Sequence, residues 1–372
     1  MELPRLSDAR RVVVKIGSAL VVDAEQAVPR AAWLETVAAD VSLLRTGGTE
    51  IIIVSSGAIA LARRTLGLTQ ARLKLEEKQA AAAVGQIRLA QAWTAALSAS
   101  GLVAAQLLLT LGDTEDRRRY LNARATLETL FGLGCVPVIN ENDSVATTEI
   151  RFGDNDRLAA RVAEMVQADQ LVLLSDIDGL YTADPRRNPA AVHIPVVSAV
   201  DAEIEAMGGE PPPGYSSGGM RTKLEAARIA TQGGCAMVIA RGGIEHPLRA
   251  LSHGGRSTWF LAAPDGRSAR KRWIAGALAP LGTFVIDAGA ARALAAGRSL
   301  LPAGVRGVEG QFERGDPVVV RGPNGTAVAR GLSAYASADA ARIAGHRSDA
   351  IEAILGWRGR DEMIHRDDLV LL

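Results

Sequence analysis

The sequence contains few of the residues that build disulfide-rich or zinc-binding proteins. Its 372 residues include 2 cysteines and 5 histidines. Cys135 and Cys235 lie far apart, and neither they nor the histidines have the spacing of a metal site. We therefore expect two buried, reduced thiols and a reducing compartment, the cytoplasm.

Long apolar runs and an excess of one charge are also missing. No apolar run is long enough to cross a bilayer, and the charged residues 1–11 lack the apolar segment of a secretion signal. The net charge of +1 gives no global attraction to nucleic acids or anionic membranes. Aromatic residues make up 4% of the chain and hydrophobic residues 48%, so aliphatic side chains must fill the core. We expect no association with membranes.

The sequence does contain a regular alternation of short apolar runs and helical segments up to about residue 263. This alternation predicts an α/β domain with a largely parallel central sheet sandwiched by helices. Short apolar runs separated by glycine follow Pro264 and predict a small β-rich module. We therefore predict a catalytic domain over 1–263, a linker over 264–275 and a β-rich domain over 276–372.

The most informative stretch is Asn140 to Asp156, which reads NENDSVATTEIRFGDND and follows a predicted strand at 136–139. Parallel sheets bind ligands beyond the carboxyl ends of their strands. A simple turn needs one glycine, asparagine or proline, and not so many carboxylates and amides. The stretch predicts a site for a polar or cationic ligand, although a polar loop with a capping aspartate is the simpler alternative.

Three other segments predict anion sites. Lys15 leaves the first strand ahead of Gly17, Ser56 follows the second strand, and the segment 217–223 (SGGMRTK) opens a helix. The simpler alternatives are a solvated lysine, a capping serine and a surface loop. The sequence contains neither GxxxxGK[ST] nor GxGxxG. Two lysines with acidic residues between them favour phosphoryl transfer without a P-loop.

Taken together, these motifs resemble the amino acid kinase superfamily, and within it the glutamate 5-kinase (γ-glutamyl kinase) family. The matching stretches are VVKIGS at 13–18, VSSGAI at 54–59, LNAR at 121–124, VPVINENDSVAT at 136–147, FGDND at 152–156, DGLYTADP at 178–185 and GGMRTK at 218–223. The tail is similar to the family's PUA domain, with SLLPAGV at 299–305, RIAGH at 342–346, ILG at 354–356 and HRDD at 365–368. The resemblance covers nearly the whole chain.

This resemblance implies ATP-dependent phosphorylation of the L-glutamate γ-carboxylate, the first step of proline synthesis. By the same resemblance, Lys15 and Lys223 stabilise the transferred phosphoryl group and Asp156 orients both lysines. The implied glutamate-binding residues are Ser56, Asp143, Asp154 and Asn155. The implied ATP-binding residues are Lys15, Ser175, Asp176, Ser217, Gly218, Gly219, Met220, Arg221, Thr222 and Lys223. Mg²⁺ would be bound mainly by the ATP phosphates, without a dedicated set of protein ligands.

The resemblance also implies partners: proline as a feedback inhibitor, further copies of the chain in a dimer or tetramer, and a glutamyl-phosphate reductase. Arg221 departs from the family pattern, which has a small residue there, and Ser175 replaces the usual threonine. Two alternatives stay open. One is a kinase of the same fold that acts on acetylglutamate, aspartate or a nucleoside monophosphate. The other is an RNA-binding protein that uses the PUA-like tail, with the basic residues 270–272 and Arg342.

Overall fold

A computed structural model describes residues 3–23, 25–68, 70, 73–145, 155–209, 219–264 and 280–372. The chain divides into two compact units, Met1–Gly266 and Arg267–Leu372. The predicted site residues Asp154, Ser217 and Gly218 lie outside the described residues, as do residues 265–275 of the predicted linker.

The first unit is built on a large, mostly parallel sheet. Its described strands are β1 (Arg11–Ile16), β2 (Val22–Asp23), β3 (Val28–Pro29), β4 (Glu50–Ser55), β5 (Ala104–Leu109), β6 (Val136–Glu141), β7 (Gln170–Ser175), β8 (Leu180–Tyr181), β9 (His193–Ile194), β10 (Val196–Val197), β11 (Ala236–Arg241) and β12 (Ser257–Phe260). Eight of these form one sheet in the order β10-β12-β11-β7-β1-β4-β6-β5. The six strands from β11 to β5 are parallel, and β12 pairs antiparallel to β11.

Helices cover both faces of this sheet. They are α1 (Ser18–Val21), α2 (Ala31–Thr46), α3 (Ala58–Arg63), α4 (Leu75–Ala99), α5 (Leu111–Glu115), α6 (Arg117–Gly132), α7 (Asn155–Met165), α8 (Ala202–Ala206), α9 (Met220–Gln232) and α10 (Pro247–Ser252), with a 3-10 turn at Leu6–Asp8. Val12 and Val14 of β1 pack into the core on the side of α2 and α4. Val13 packs on the opposite side, with α7 and α9. The alternating directions of successive strand side chains produce these two cores, and the predicted fold class is confirmed.

The second unit has a smaller mixed sheet with its own core. Its strands are β13 (Gly282–Ile286), β14 (Val305–Gly310), β15 (Pro317–Arg321), β16 (Ala327–Leu332) and β17 (Leu369–Leu371), in the order β14-β13-β15-β16-β17. The accompanying helices are α11 (Ala288–Ala295), α12 (Ser337–Ile343) and α13 (Ile351–Leu355), with 3-10 turns at Pro302–Gly304, Ser348–Ala350 and Arg366–Asp368. Phe284, Val320 and Ile343 are among the residues of its buried cluster. The prediction of a small β-rich C-terminal domain is confirmed.

One expectation needs correction. Cys235 is buried, but Cys135 is only half-buried, because it follows the exposed turn after α6 and precedes the buried strand β6. Asn155 and Asp156 belong to the first turn of α7. Within the ranges described, no helix has both the length and the apolar composition needed to cross a membrane.

Candidate active site

The candidate site lies at the carboxyl ends of the central parallel strands. Lys15 is the penultimate residue of β1, and its register partners are Val54 of β4 and Leu173 of β7. Ser56 immediately follows β4, and its backbone N–H donates to the carbonyl of Ile16 at 3.0 Å. Because the two strands end side by side, the lysine and the serine emerge at the same edge of the sheet.

One buried carboxylate holds two lysines there. Asp156 Oδ1 lies 2.5 Å from Lys15 Nζ, and Asp156 Oδ2 lies 3.1 Å from Lys223 Nζ. Thr222 Oγ1 donates to Asp156 Oδ2 at 2.9 Å. Lys15 lies at the end of β1, Asp156 lies in the first turn of α7, and Thr222 and Lys223 lie in the first turn of α9. Residues far apart in sequence thus form one charged cluster with two ammonium groups and one carboxylate.

The charge state of this cluster follows from its contacts. Asp156 is 2% exposed and Lys15 is 8% exposed. Burial alone would raise the pKa of Asp156, but the adjacent ammonium groups of Lys15 and Lys223 hold its pKa well below the usual range. Asp156 is therefore ionised at neutral pH and leaves one excess positive charge in the cluster. Such an excess suits the negative charge of a phosphoryl group.

A second group of polar side chains lies beside the charged cluster. Asn155 Nδ2 donates to Ser56 Oγ at 2.6 Å and to Asn140 Oδ1 at 3.1 Å. Asn140 Nδ2 donates to Gln86 Oε1 at 2.8 Å. Among the described residues, Asn155 Oδ1 has no hydrogen-bond partner although Asn155 is 4% exposed. The structure thus brings the predicted glutamate-binding residues Ser56 and Asn155 into direct contact.

The turn that carries Ser56 is held by its neighbours. Gly57 has φ of 125°, in the region that favours glycine, and it precedes α3. Trp93 of α4 donates from Nε1 to Ser55 Oγ at 2.8 Å. Gly85 of α4 lies so close to α3 that an added Cβ would approach the carbonyl oxygen of Ala58 to 1.7 Å. Helix α4 therefore positions the Ser56 turn through direct contacts.

Asp143 lies in the turn after β6 and is half-buried. Burial raises the pKa of its carboxyl group to about 6. No ion pair to this carboxylate is formed by the part of the chain that the structure describes. A carboxylate in that situation is a good partner for an ammonium group of a ligand, because pairing would offset the cost of burying its charge.

The predicted nucleotide-binding residues occupy the adjacent strand and helix. Ser175 ends β7 and is buried, and its hydroxyl donates to Asp176 Oδ1 at 3.1 Å. The Asp176 carboxylate also pairs with Arg186 on the surface. Gly219 caps the N-terminus of α9, and Met220 is half-buried in its first turn.

The side chain of Arg221 lies on the exposed surface of α9. Its side chain is two-thirds exposed and its Nε lies 3.5 Å from Glu225 Oε1, one helical turn further along α9. The structure places Arg221 in the predicted segment without bringing its guanidinium to the charged cluster. Its role in nucleotide binding stays a prediction.

A resident metal ion has no evident set of protein ligands in the described ranges. No three His, Cys, Asp or Glu side chains converge there in a way that could hold one. The most buried carboxylate of the site, Asp156, already contacts two lysines. The charge of the Asp156 carboxylate is thus already paired with the two ammonium groups.

Sequence reasoning missed Gln86, which contacts Asn140 from the middle of α4. The motif around Asn140 was visible, but Gln86 lies 54 positions earlier in an alanine-rich helix. The available signal was weak: Gln86 is a polar residue between the buried positions Gly85 and Leu89. It indicates a polar contact on that side of the helix but not which residue it meets.

Comparisons with known proteins identify the family of this chain. The sequence profile of the amino acid kinase family matches residues 10–241, and that of the PUA domain matches residues 282–355. The chain therefore belongs to the amino acid kinase family. A UMP kinase from Ureaplasma parvum is similar in structure over 68% of this chain and 98% of its own, with a TM-score of 0.48 and 14% identity.

Several proteins named glutamate 5-kinase are similar to this chain over nearly its full length. The glutamate 5-kinase of Gluconobacter oxydans is 66% identical over 99% of this chain and 97% of its own length. The glutamate 5-kinases of Paramagnetospirillum magneticum and of a Bradyrhizobium strain are 62% and 60% identical, over 98% and 100% of this chain and 99% and 98% of theirs. Within the amino acid kinase family, this full-length similarity places the chain among the glutamate 5-kinases.

Proposed function

We propose that the chain transfers the γ-phosphoryl group of ATP to the γ-carboxylate of L-glutamate, giving γ-glutamyl phosphate and ADP. This is the first step of proline biosynthesis. The observation that carries the proposal is the pairing of Lys15 and Lys223 with Asp156, at 2.5 and 3.1 Å. The full-length similarity to glutamate 5-kinases supports the choice of substrate.

The two lysines supply the positive charge that phosphoryl transfer requires. Most of the catalysis of such reactions comes from positioning the reactants and from neutralising charge on the transferred group. Asp156 holds both ammonium groups close together in a buried site. Lys15 and Lys223 would then contact the phosphate oxygens, and the backbone N–H groups in the first turn of α9 would be further donors.

The substrate itself supplies the nucleophile. A glutamate side chain has an ordinary pKa of about 4.3 and is ionised at neutral pH. Its γ-carboxylate oxygen can attack the γ-phosphorus without a general base, and ADP leaves as the P–O bond to it breaks. The proposal thus explains why the site needs no histidine or cysteine. Mg²⁺ bound to the ATP phosphates would supply further charge neutralisation.

The other end of the substrate would be bound by the polar group beside the lysines. Asp143 would pair with the α-ammonium group, and Ser56, Asn155 and Asp154 would contribute the remaining polar contacts. The half-buried Asp143 carboxylate supports this assignment, since pairing with an ammonium group would offset the cost of burying its charge. Ser175, Asp176 and the segment 217–223 would bind the nucleotide.

The proposal extends to partners and location. Proline shares the α-ammonium and α-carboxylate groups of glutamate, so we propose that it inhibits by occupying the glutamate pocket. The acyl phosphate product is reactive toward water, which favours a glutamyl-phosphate reductase as the next enzyme. We also propose a homo-oligomer, a dimer or tetramer, and a cytoplasmic location. The free thiols of Cys135 and Cys235 support a reducing compartment.

One assay tests the reaction directly. The purified chain is incubated with MgATP, L-glutamate and hydroxylamine, which traps an acyl phosphate as the hydroxamate, and ADP is measured in parallel. We expect hydroxamate and ADP in equal amounts, and inhibition by proline that higher glutamate overcomes. Acetylglutamate, aspartate and UMP serve as alternative acceptors. ADP release with one of these and none with glutamate would contradict the proposal.

A further inference from the structure

Three side-chain amides connect α4 to the Ser56 turn. Gln86, Asn140 and Asn155, here called the amide series, are joined by two hydrogen bonds of 2.8 and 3.1 Å. The series ends at Ser56, whose Oγ accepts from Asn155 Nδ2 at 2.6 Å. Asn140 and Asn155 are buried and Gln86 is half-buried.

The hydrogen bonds of the amide series all run in one direction. A side-chain amide has one accepting oxygen and one donating NH₂ group at opposite corners. Because Gln86 accepts from Asn140 Nδ2, Asn140 presents its oxygen to Asn155. Asn155 must then present its NH₂ group, and its two N–H bonds go to Asn140 and Ser56.

This direction fixes what the site offers to a ligand. Since Ser56 Oγ accepts from Asn155, the proton of the Ser56 hydroxyl is available to a carboxylate. The unpartnered oxygen of Asn155 noted above is available to an ammonium or amide donor. If the whole series were reversed, Asn140 and Ser56 would both donate to Asn155 Oδ1, and the Asn155 NH₂ group would have no acceptor within the series. The hydroxyl proton and the amide oxygen would both be lost to the ligand.

We propose that Gln86 is a positioning residue for glutamate: as the acceptor at the far end of the amide series, it sets the direction in which Asn155 and Ser56 present hydrogen bonds to the substrate. The inference rests on the proposed function, because it takes glutamate as the ligand. Gln86 itself does not contact the substrate. Its influence passes through Asn140 and Asn155.

Two substitutions at Gln86 separate this role from packing. Gln86→Glu keeps an acceptor and removes the donor, so it enforces the observed direction. Gln86→Leu keeps similar bulk and removes the acceptor, so Asn140 and Asn155 can reverse. We expect Gln86→Leu to raise KM for glutamate by about tenfold, as for one lost hydrogen bond to a charged group. We expect KM for ATP to stay within about twofold, and Gln86→Glu to retain the parent KM for glutamate.

A packing role predicts the opposite order, because a half-buried carboxylate is less compatible with an apolar contact than leucine is. Gln106→Leu is the matched control, since Gln106 lines the same cavity of about 190 Å³ as Gln86 and Asn140. It should leave KM for glutamate unchanged. Thermal unfolding of every variant is measured, and Gln86→Met replaces Gln86→Leu if the latter does not fold.

A double-mutant cycle with Ser56→Ala completes the test. If Gln86 acts through Ser56, Gln86→Leu should raise KM far less in the Ser56→Ala background than in the parent. A parent-like KM for Gln86→Leu, or an equal rise for Gln86→Glu and Gln86→Leu in folded proteins, would overturn the inference. Failure of the proposed function is seen separately, because the unmodified chain would then show no glutamate-dependent ADP release.

Discussion

A carboxylate as deeply buried as that of Asp156 stays ionised because Lys15 and Lys223 lie within 3.1 Å of its two oxygens. The dependence is mutual, since the same carboxylate holds both lysine ammonium groups in place. Burial of one charge without the other would be costly. At the scale of residues, removal of the Asp156 charge should therefore also displace the side chains of Lys15 and Lys223.

Replacement of Asp156 by asparagine tests this dependence. Asparagine keeps the shape and one polar contact to Thr222 but removes the charge that holds the two lysines. We expect turnover to fall by about 100-fold or more, in the range measured when one electrostatic contact to a transition state is removed. Steady-state ADP release measures the effect. Glu164→Gln, on the same helix α7, is the control and should retain parent activity; a loss of less than tenfold in Asp156→Asn would contradict the assigned role.

Asp143 makes glutamate binding depend on pH. Burial raises the pKa of its carboxyl group to about 6, and only the ionised form can pair with an ammonium group. We therefore expect kcat/KM for glutamate, at saturating MgATP, to decrease as the pH falls below about 6. The Asp143→Asn variant should have a lower kcat/KM for glutamate than the parent at pH 8, and its kcat/KM should not decrease further below pH 6. A decrease of the same size in Asp143→Asn would assign the titration to another group.

The raised pKa of Asp143 affects the stability of the ligand-free protein in the opposite direction, because the free energy of unfolding decreases as the pH rises. The folded pKa of Asp143 is raised above the ordinary value, so its contribution to stability is fully present below about pH 4 and is lost as the pH rises through about 6. Glutamate should restore stability above pH 6 by pairing with the carboxylate. Thermal unfolding with and without glutamate, at pH 5 and pH 8, would show this difference.

How far the site could be predicted from sequence depends on the residue. Lys15, Asp156 and Lys223 each belong to a motif at a strand end or helix start, so their types and positions were informative. Their mutual contacts were not, because no single sequence shows which loops meet in space. Gln86 belongs to no motif, and its contact with Asn140 depends on how α4 packs beside β6.

At the scale of elements, the long strands and helices were predictable because they are buried on one or both faces. All six residues of β1 and of β7 are buried, and both strands appear in the sequence as apolar runs. The strands β8, β9 and β10 contain two residues each. A periodic pattern cannot be recognised over two residues, so these strands were missed.

The contact between α3 and α4 gives a prediction about elements. Gly85→Ala would place a methyl group against the backbone of Ala58, so the two helices must separate. We expect a loss of about 1–3 kcal/mol in the free energy of unfolding, and a larger rise in KM for glutamate than for ATP because the Ser56 turn precedes α3. Denaturant unfolding and kinetics measure both effects. Gly132→Ala, at an open position at the end of α6, should not destabilise the protein.

At the scale of the whole molecule, the two units have separate cores. The buried clusters of the first unit draw on residues between Leu6 and Phe260, and that of the second on residues between Phe284 and Leu369. A sequence-based boundary near residue 264 was accessible because the pattern changes there from long alternating segments to short runs separated by glycine. The role of the second unit was not accessible, because the short apolar runs that reveal its strands do not indicate a ligand.

Removal of the second unit tests whether the first is sufficient for the chemistry. Every residue assigned to catalysis or substrate binding lies between Lys15 and Lys223, within the first unit. We therefore expect a chain shortened to residues 1–266 to fold and to release ADP in response to glutamate, with KM values within about threefold of the parent, or about 0.7 kcal/mol. Asp156→Asn in the shortened chain should abolish this activity. If the shortened chain folds with a normal thermal transition and is inactive, the second unit must contribute to the active site, and the assignment of the site to the first unit alone is wrong.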